Sequence, residues 1–177
     1  MLPSFETDRL LIRPRTDDDF EACLAMDRDP EVTKFVVGPW GDAALHEKFL
    51  RERIDADFGE GLGYWSIFPE QEPNAFLGWI LLIPCDGFGP EIEIGWRLNR
   101  ASWGYGYAPE AARPILHHAF TTVGLERVTA DIDSRNERSH RVAEKIGMQF
   151  IGDAMHLGRP CRSYALTRRD FQAGETA

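Results

Sequence analysis

The chain predicts a mixed α/β domain, and three observations carry that prediction. Residues 91–98 (EIEIGWRL) alternate with a period of two, so Ile92 and Ile94 face away from Glu91 and Glu93. Residues 108–123 place Ala112, Ile115, Leu116, Ala119, Phe120 and Val123 on one face of a helix. From residue 91 onward the order is strand, helix, strand, helix, strand, strand, a mixture that buries helices against a sheet. The chain has 177 residues, of which 43% are hydrophobic. That suits a single domain over residues 1–177 and is too short for a TIM barrel or two Rossmann halves. A chain of this length can bury about 70% of its unfolded surface.

In order, residues 9–13 (RLLIR) read as a first strand. Thr16 and Asp17 can cap a helix carrying Phe20, Cys23, Leu24 and Asp27, which Asp29-Pro30 breaks. Residues 43–58 form a second helix with Leu45, Phe49, Ile54 and Phe58 as its apolar members. Strands at 63–68 and 76–83 flank the turn-rich PEQEPN. In the 108–123 helix, Pro109 suits the first turn and Pro114 predicts a kink. Residues 127–133 form a strand, and Asn136 caps a helix that ends at Gly147 as its C′ glycine. Strands at 148–152 and 163–167 close the chain. There is no internal repeat and no linker.

The formal charge of −9 argues against a general nucleic-acid binder. Residues 1–60 carry 15 acidic and 8 basic side chains, while Arg135, Arg138, Arg141 and Lys145 crowd one later segment. Two solvated faces of opposite sign, or an acidic side for a cation and a basic side for an anion, both fit that distribution. The longest apolar run, residues 76–83, falls far short of the ~20 residues of a membrane helix. MLPSFETDRL lacks the basic region and apolar stretch of a secretory signal. Cys23, Cys85 and Cys161 are widely spaced without a CxxC, and read as reduced packing thiols. The five histidines form no ligand pattern, so no metal is expected; one of His117-His118 should be half-buried. A cytoplasmic location follows as an expectation.

The segment Ser102-Trp103-Gly104-Tyr105-Gly106-Tyr107-Ala108 joins a strand to the clearest helix. Glycines there let successive amides converge beside a helix N-terminus, which suits a pyrophosphate. It is neither a Walker loop nor a complete dinucleotide fingerprint, and by itself it also reads as a tight turn. The segments ETDRLLIRP (6–14), DPEV (29–32), EIGWRL (93–98), WGYGYAPEA (103–111) and NERSHRVAEKIGM (136–148) follow one another in this order. With them the chain resembles the GNAT superfamily of acyl-CoA-dependent N-acetyltransferases over nearly its whole length. Within it, the chain looks closest to the branch resembling ribosomal-protein N-terminal acetyltransferases (RimJ/RimL-like).

That resemblance implies an α/β (α+β) fold of the GNAT acyl-CoA N-acyltransferase type: a central mixed, mostly antiparallel, twisted sheet flanked by helices. It implies acetyl-CoA as acyl donor, with the pyrophosphate cradled by residues matching Gln/Arg-x-x-Gly-x-Gly/Ala. Here those are Trp103, Gly104, Tyr105, Gly106, Tyr107 and Ala108, with Trp103 where many members carry Gln or Arg. It also implies that the backbone of Trp96, Arg97 and Leu98 meets the pantetheine arm, and that Asn136 meets the same arm. Arg138, Arg141 and Lys145 share a helix face that can meet phosphates or water.

Transfer of an acyl group from a thioester to an amine needs a neutral amine, a donor for the developing oxyanion and help for the departing thiolate. Glu93, at the Glu of the branch's EIGY/W motif, is the candidate base acting through water, or else a group that orients substrate. Glu91, on the same face, is the runner-up. Many members place a Tyr seven residues after the motif Asn, where this chain has Ala143. Ser139 matches the Ser of the branch's NxxS pattern and is the candidate hydrogen-bond donor to the thiolate. Tyr105, Tyr107 and Tyr164 read as packing or phosphate-side groups.

The expected partners are therefore a coenzyme A thioester and an amine acceptor, either a peptide N-terminus or a small amine. Nucleic acid and membrane are not expected, and a homodimer is compatible with the reading. A non-catalytic acyl-CoA-binding or regulatory module on the same fold, and a nucleotide-binding α/β protein, are the competing readings. Trp40, Trp65 and Trp79 are open as walls of an acceptor pocket.

Overall fold

The computed structural model describes residues 2–87 and 89–175. Its strands are β1 (Phe5–Glu6), β2 (Leu10–Pro14), β3 (Gly63–Pro69), β4 (Gly78–Pro84), β5 (Ile92–Leu98), β6 (Arg127–Asp133), β7 (Gln149–His156) and β8 (Arg159–Thr167). Its α-helices are α1 (Phe20–Asp27), α2 (Pro30–Thr33), α3 (Ala43–Asp55), α4 (Tyr107–Thr121), α5 (Glu137–Lys145) and α6 (Arg168–Glu175). The strands form one sheet in the order β1-β2-β3-β4-β5-β6-β8-β7. β5 and β6 are parallel and every other neighbouring pair is antiparallel, so the mixed, mostly antiparallel sheet is observed.

β3 and β4 are buried along almost their whole length because both faces of the sheet are covered. On one face, α4 contributes Ala111, Ala112, Ile115, Leu116 and Ala119 to a core with Leu10, Ile12, Trp65, Ile80 and Ile94. On the other, α1 and α3 pack Phe20, Cys23, Leu24 and Leu50 against Tyr64, Trp79, Leu81 and Ile83. A buried carboxylate ties this second layer to the sheet. Asp19 accepts both guanidinium nitrogens of Arg13 (2.9 and 2.7 Å) and the Ser66 hydroxyl (2.8 Å).

Local signals behave as their chemistry requires. Asn136 Oδ1 accepts the Ser139 amide at 3.2 Å and caps α5, and Gly147 follows that helix at φ +87°. Asp29-Pro30 does end α1, and it also opens the short α2, since Asp29 accepts the Glu31 amide (2.9 Å) and Pro30 needs no amide partner. Pro114 lies inside α4, as the sequence places it, and the helix is continuous through it. His118 is fully buried rather than half-buried; its Nε2 lies 2.9 Å from the Gly61 carbonyl, and His117 stays exposed. α3 stops at Asp55, three residues before the expected end, because Ala56 is extended.

The largest departure is at the C-terminus. The two short strands expected at 148–152 and 163–167 are the ends of one long hairpin, β7 and β8. It turns at Leu157-Gly158, both with positive φ (47° and 76°), the backbone of a tight two-residue turn. Gln149, Phe150, Ile151, Asp153 and Met155 along β7 are exposed, so its polar and apolar residues are not sorted as in a core strand. Among the described residues no helix is long and apolar enough to cross a membrane.

Candidate active site

β5 runs alongside β4 over seven paired positions but meets β6 at one, Glu93 with Thr129. Beyond that bridge the two parallel strands diverge. Backbone parity then decides which groups face the gap. The Cys85 amide donates to the Glu91 carbonyl and the Asn99 amide to the Leu77 carbonyl, both at 2.8 Å. In an antiparallel ladder such bonded pairs alternate, so the odd-numbered residues of β5 bond β4 and the even-numbered ones face β6. The Ile92 carbonyl indeed accepts the Thr129 hydroxyl (3.4 Å), on the β6 side. The Leu98 carbonyl is taken by the Trp103 indole N–H at 3.0 Å. The N–H and C=O of Trp96 and the N–H of Leu98 therefore open into the gap, and the backbone of Arg97 is turned to Trp79 on β4. The Arg97 side chain instead projects from the face of β5 that carries Glu93.

The gap widens into a cavity of about 750 Å³ that extends from the sheet to the glycine loop and α5. Glu93, Trp96, Arg97 and Leu98 line it from β5; Trp103, Gly104, Gly106, Tyr107 and Ala108 from the loop; Asn136, Ser139, Arg141 and Lys145 from α5 and its cap. Tyr105 does not line it: its ring is 62% exposed and stacks on Tyr107 with centroids 5.6 Å apart. Gly104 and Gly106 have φ of +86° and +81°, and an added Cβ would have no neighbour within 4 Å at Gly104 and only the Arg9 guanidinium at Gly106. The backbone conformation requires glycine there, and the missing side chains leave the amides bare.

Trp103 does more than fill a position where Gln or Arg is common. Its ring lies under the Arg138 guanidinium at 4.4 Å, so a cation comes to the loop from α5. On the opposite side of the loop, Arg9 bonds the Tyr105 carbonyl (3.1 Å) and pairs with Glu110 (2.5 Å), fixing the loop to the start of β2.

Glu93 sits where the two strands separate. Burial pushes its carboxyl up to about 7, with the nearby Asp86 and Asp131 carboxylates adding to the rise and Arg53 opposing it. Among the described residues no donor is hydrogen-bonded to that carboxylate. A carboxyl of this kind can gain and lose a proton near neutrality, the property a general base needs. Glu91 lies outside the strand and is exposed.

Ser139 lines the same cavity; its hydroxyl has no protein partner among the described residues, while its amide serves the helix cap. Ala143 is fully buried in the core under α5 and offers no hydroxyl. Tyr164 is buried as well, with its hydroxyl 3.1 Å from His140 Nδ1, and takes no part in the cavity. Among the described residues no cluster of His, Cys, Asp or Glu can hold a metal ion.

The sequence left one wall of the cavity unassigned. Glu31, Val32, Lys34, Phe35 and Val36 line it from α2 and the segment that follows. Arg159 of β8 reaches the Lys34 carbonyl (3.4 Å) and Asp133 (3.7 Å), and Arg135 lies over the Phe35 ring at 5.6 Å. The DPEV segment was the available signal, but only tertiary contacts bring it to β5.

Residues 9–149 match the family described as Acetyltransferase (GNAT) domain. The chain is 31% identical over 160 residues to the uncharacterized protein YkkB of Bacillus subtilis (strain 168), covering 89% of this chain and 92% of that one. It is 29% identical over 153 residues to the uncharacterized N-acetyltransferase YoaA of the same organism, covering 86% of each. The crystal structure of the acetyltransferase (GNAT family) from Bacillus anthracis has a TM-score of 0.77 and 27% identity, covering 94% of this chain and 99% of that chain.

Proposed function

The chain belongs to the GNAT acetyltransferase family and is an acetyl-CoA-dependent N-acetyltransferase; from that premise we propose that it acetylates a primary amine with Glu93 as base and Ser139 as donor to the thiolate. The acceptor is a peptide N-terminus or a small amine, and the chain fits the RimJ/RimL-like branch by its EIGWRL and NERSH segments. The observation that carries this reading is one cavity shared by a near-neutral carboxyl, an unpaired hydroxyl and a glycine loop beside a helix N-terminus.

Acetyl-CoA supplies an activated acyl carbonyl and a thiolate leaving group. The residues suit it: the bare amides at Gly104 and Gly106, with Arg138, Arg141 and Lys145, meet the pyrophosphate. The Trp96 backbone and Leu98 amide meet the amide-bearing arm, together with Asn136. Glu93 takes a proton from the acceptor ammonium through water, since a free alkyl ammonium stays charged until a pH of ~10. The amine nitrogen then bonds to the acyl carbon as the C–S bond breaks, and the extra proton left on that nitrogen passes to the departing thiolate, giving the amide and the free thiol. A strand amide at the gap stabilises the oxyanion, and the Ser139 hydroxyl donates to the departing sulfur. The whole chain, residues 1–177, acts as one domain. Unpaired cysteines suit the reducing cytoplasm.

The test is release of free thiol from acetyl-CoA with a panel of N-terminal peptides, polyamines and aminoglycosides. Turnover with one class supports the reading and identifies the acceptor. Tight acetyl-CoA binding without thiol release on any amine would favour the regulatory module.

A further inference from the structure

Arg97 projects from β5 on the same face as Glu93, with Gly95 between them. Because Gly95 has no side chain, the cavity reaches down to Leu81 at this point and runs on to Arg97. The Arg97 side chain is 10% exposed, and its Nη1 donates to Asp27 Oδ1 at 2.7 Å. The Trp40 and Trp79 rings lie 5.1 and 4.9 Å from the guanidinium carbon and hold its plane. Asp27 is itself buried, with His46 Nε2 3.5 Å from its other oxygen.

This arrangement uses only one end of the guanidinium. Nε and Nη2 have no protein hydrogen-bond partner among the described residues, and neither is sealed from solvent. Those two nitrogens form the side-on edge of the arginine fork, whose parallel N–H groups match the two oxygens of a carboxylate. An arginine kept only to neutralise Asp27 would not need an unpaired bidentate edge on the face of β5 that also carries the candidate base.

We propose that Arg97 is a specificity-determining residue that binds a carboxylate on the acceptor while the acceptor's amine lies at Glu93; the assignment rests on the acetyl-transfer reading above. Four residues of extended strand separate the two Cα atoms by roughly 13 Å. Allowing for both side chains, amine and carboxylate stand on the order of 7–10 Å apart, the span of an extended di- or tripeptide. The substrate class is therefore a small amine bearing a free carboxylate, such as a short peptide acid. A polyamine or an aminoglycoside lacks the group that Arg97 would bind.

The experiment compares trialanine with its methyl ester as acceptors, and N-acetyl-trialanine with its methyl ester as ligands of the CoA-loaded protein by calorimetry. The acid should exceed the ester about tenfold or more in kcat/KM and in affinity, the size expected for a charge-assisted bidentate contact. Arg97→Gln should bring both ratios close to one, and Arg97→Lys should retain part of the preference because the charge remains. Equal wild-type values for acid and ester, or an undiminished ratio in Arg97→Gln, would overturn the assignment. If Arg97→Gln fails to fold, the wild-type ratios and the Lys variant still decide. Absence of thiol release with every amine counts against the acetyl-transfer reading, whereas the binding ratio for the acetylated peptide continues to test Arg97.

Discussion

Arg138 and Trp103, 35 residues apart in the sequence, meet face to face at 4.4 Å, and the same indole donates to the Leu98 carbonyl at 3.0 Å. One side chain thus occupies the Leu98 carbonyl at the end of β5 and brings a cation to the glycine loop. Trp103→Ala removes both functions. We expect acetyl-CoA affinity to fall about tenfold, from ~1–2 kcal/mol of lost cation positioning and packing. Arg138→Ala should lose affinity to a lesser extent and flatten its salt dependence. Calorimetric titration with acetyl-CoA at two ionic strengths reads both effects, and an unchanged affinity in Trp103→Ala would reject the platform.

The raised carboxyl of Glu93 ties stability to pH and, as the proposed base, would tie turnover to it as well. Its carboxyl is held near 7 in the folded chain against an ordinary value of 4.5. Below about 4.5 it is protonated folded and unfolded. Between about 4.5 and 7 the unfolded chain releases the proton and the folded chain retains it, so this group makes stability fall as pH rises through that window. Glu93→Gln should therefore gain more in Tm over wild type at pH 8 than at pH 4.5. The same variant should lose the rise of kcat/KM through neutral pH. A wild-type pH-rate profile in Glu93→Gln would remove Glu93 from the chemistry.

Ser139 supplies a hydroxyl to the cavity and an amide to the α5 cap. Ser139→Ala keeps the amide, so the fold should be retained. We expect kcat to drop about 10–100-fold, as for loss of one donor to developing charge, with acetyl-CoA affinity within about twofold of wild type. Rapid-quench single turnovers separate the two. An equal loss in affinity and rate would instead assign Ser139 to binding.

Gly106 has φ +81°, and a side chain there would point toward the Arg9 guanidinium at 3.7 Å. Gly106→Val combines backbone strain of about 1–3 kcal/mol, which would turn the loop amides, with crowding of the Arg9 guanidinium that fixes the loop. Acetyl-CoA binding should weaken by at least about tenfold while the sheet remains intact by circular dichroism. Retained affinity would show that the loop amides are not the phosphate site.

Much of the fold follows from local chemistry alone. The alternation of EIEIGWRL, the apolar face of α4, the Asn136 cap and the Gly147 stop each depend on residues within a few positions of one another, and each is present. The glycine loop was legible for the same reason, because positive φ is a property of single residues. Local chemistry failed where exposure blurs the pattern. β7 mixes exposed Phe150, Ile151 and Met155 with polar neighbours, so the hairpin's true length depends on its pairing with β8. Pro114 sits within α4 as its sequence position implies, with Ala112 and Ile115 near it packed in the core.

What the sequence determined by itself is the set of elements and the chemical groups at their ends: a carboxylate before a glycine loop, a hydroxyl after a capping asparagine, cations along one helix face. Tertiary structure alone decided what those groups can do. The single bridge between β5 and β6 leaves the Trp96 N–H and C=O and the Leu98 N–H without a strand partner, and burial beside Asp86 and Asp131 lifts Glu93 toward neutrality. Asp27, Trp40 and Trp79, from three different parts of the chain, hold Arg97 with one edge open. Hydrogen-bond availability and ionisation depend on what lies within a few ångströms, and for these residues the neighbours are far away in sequence.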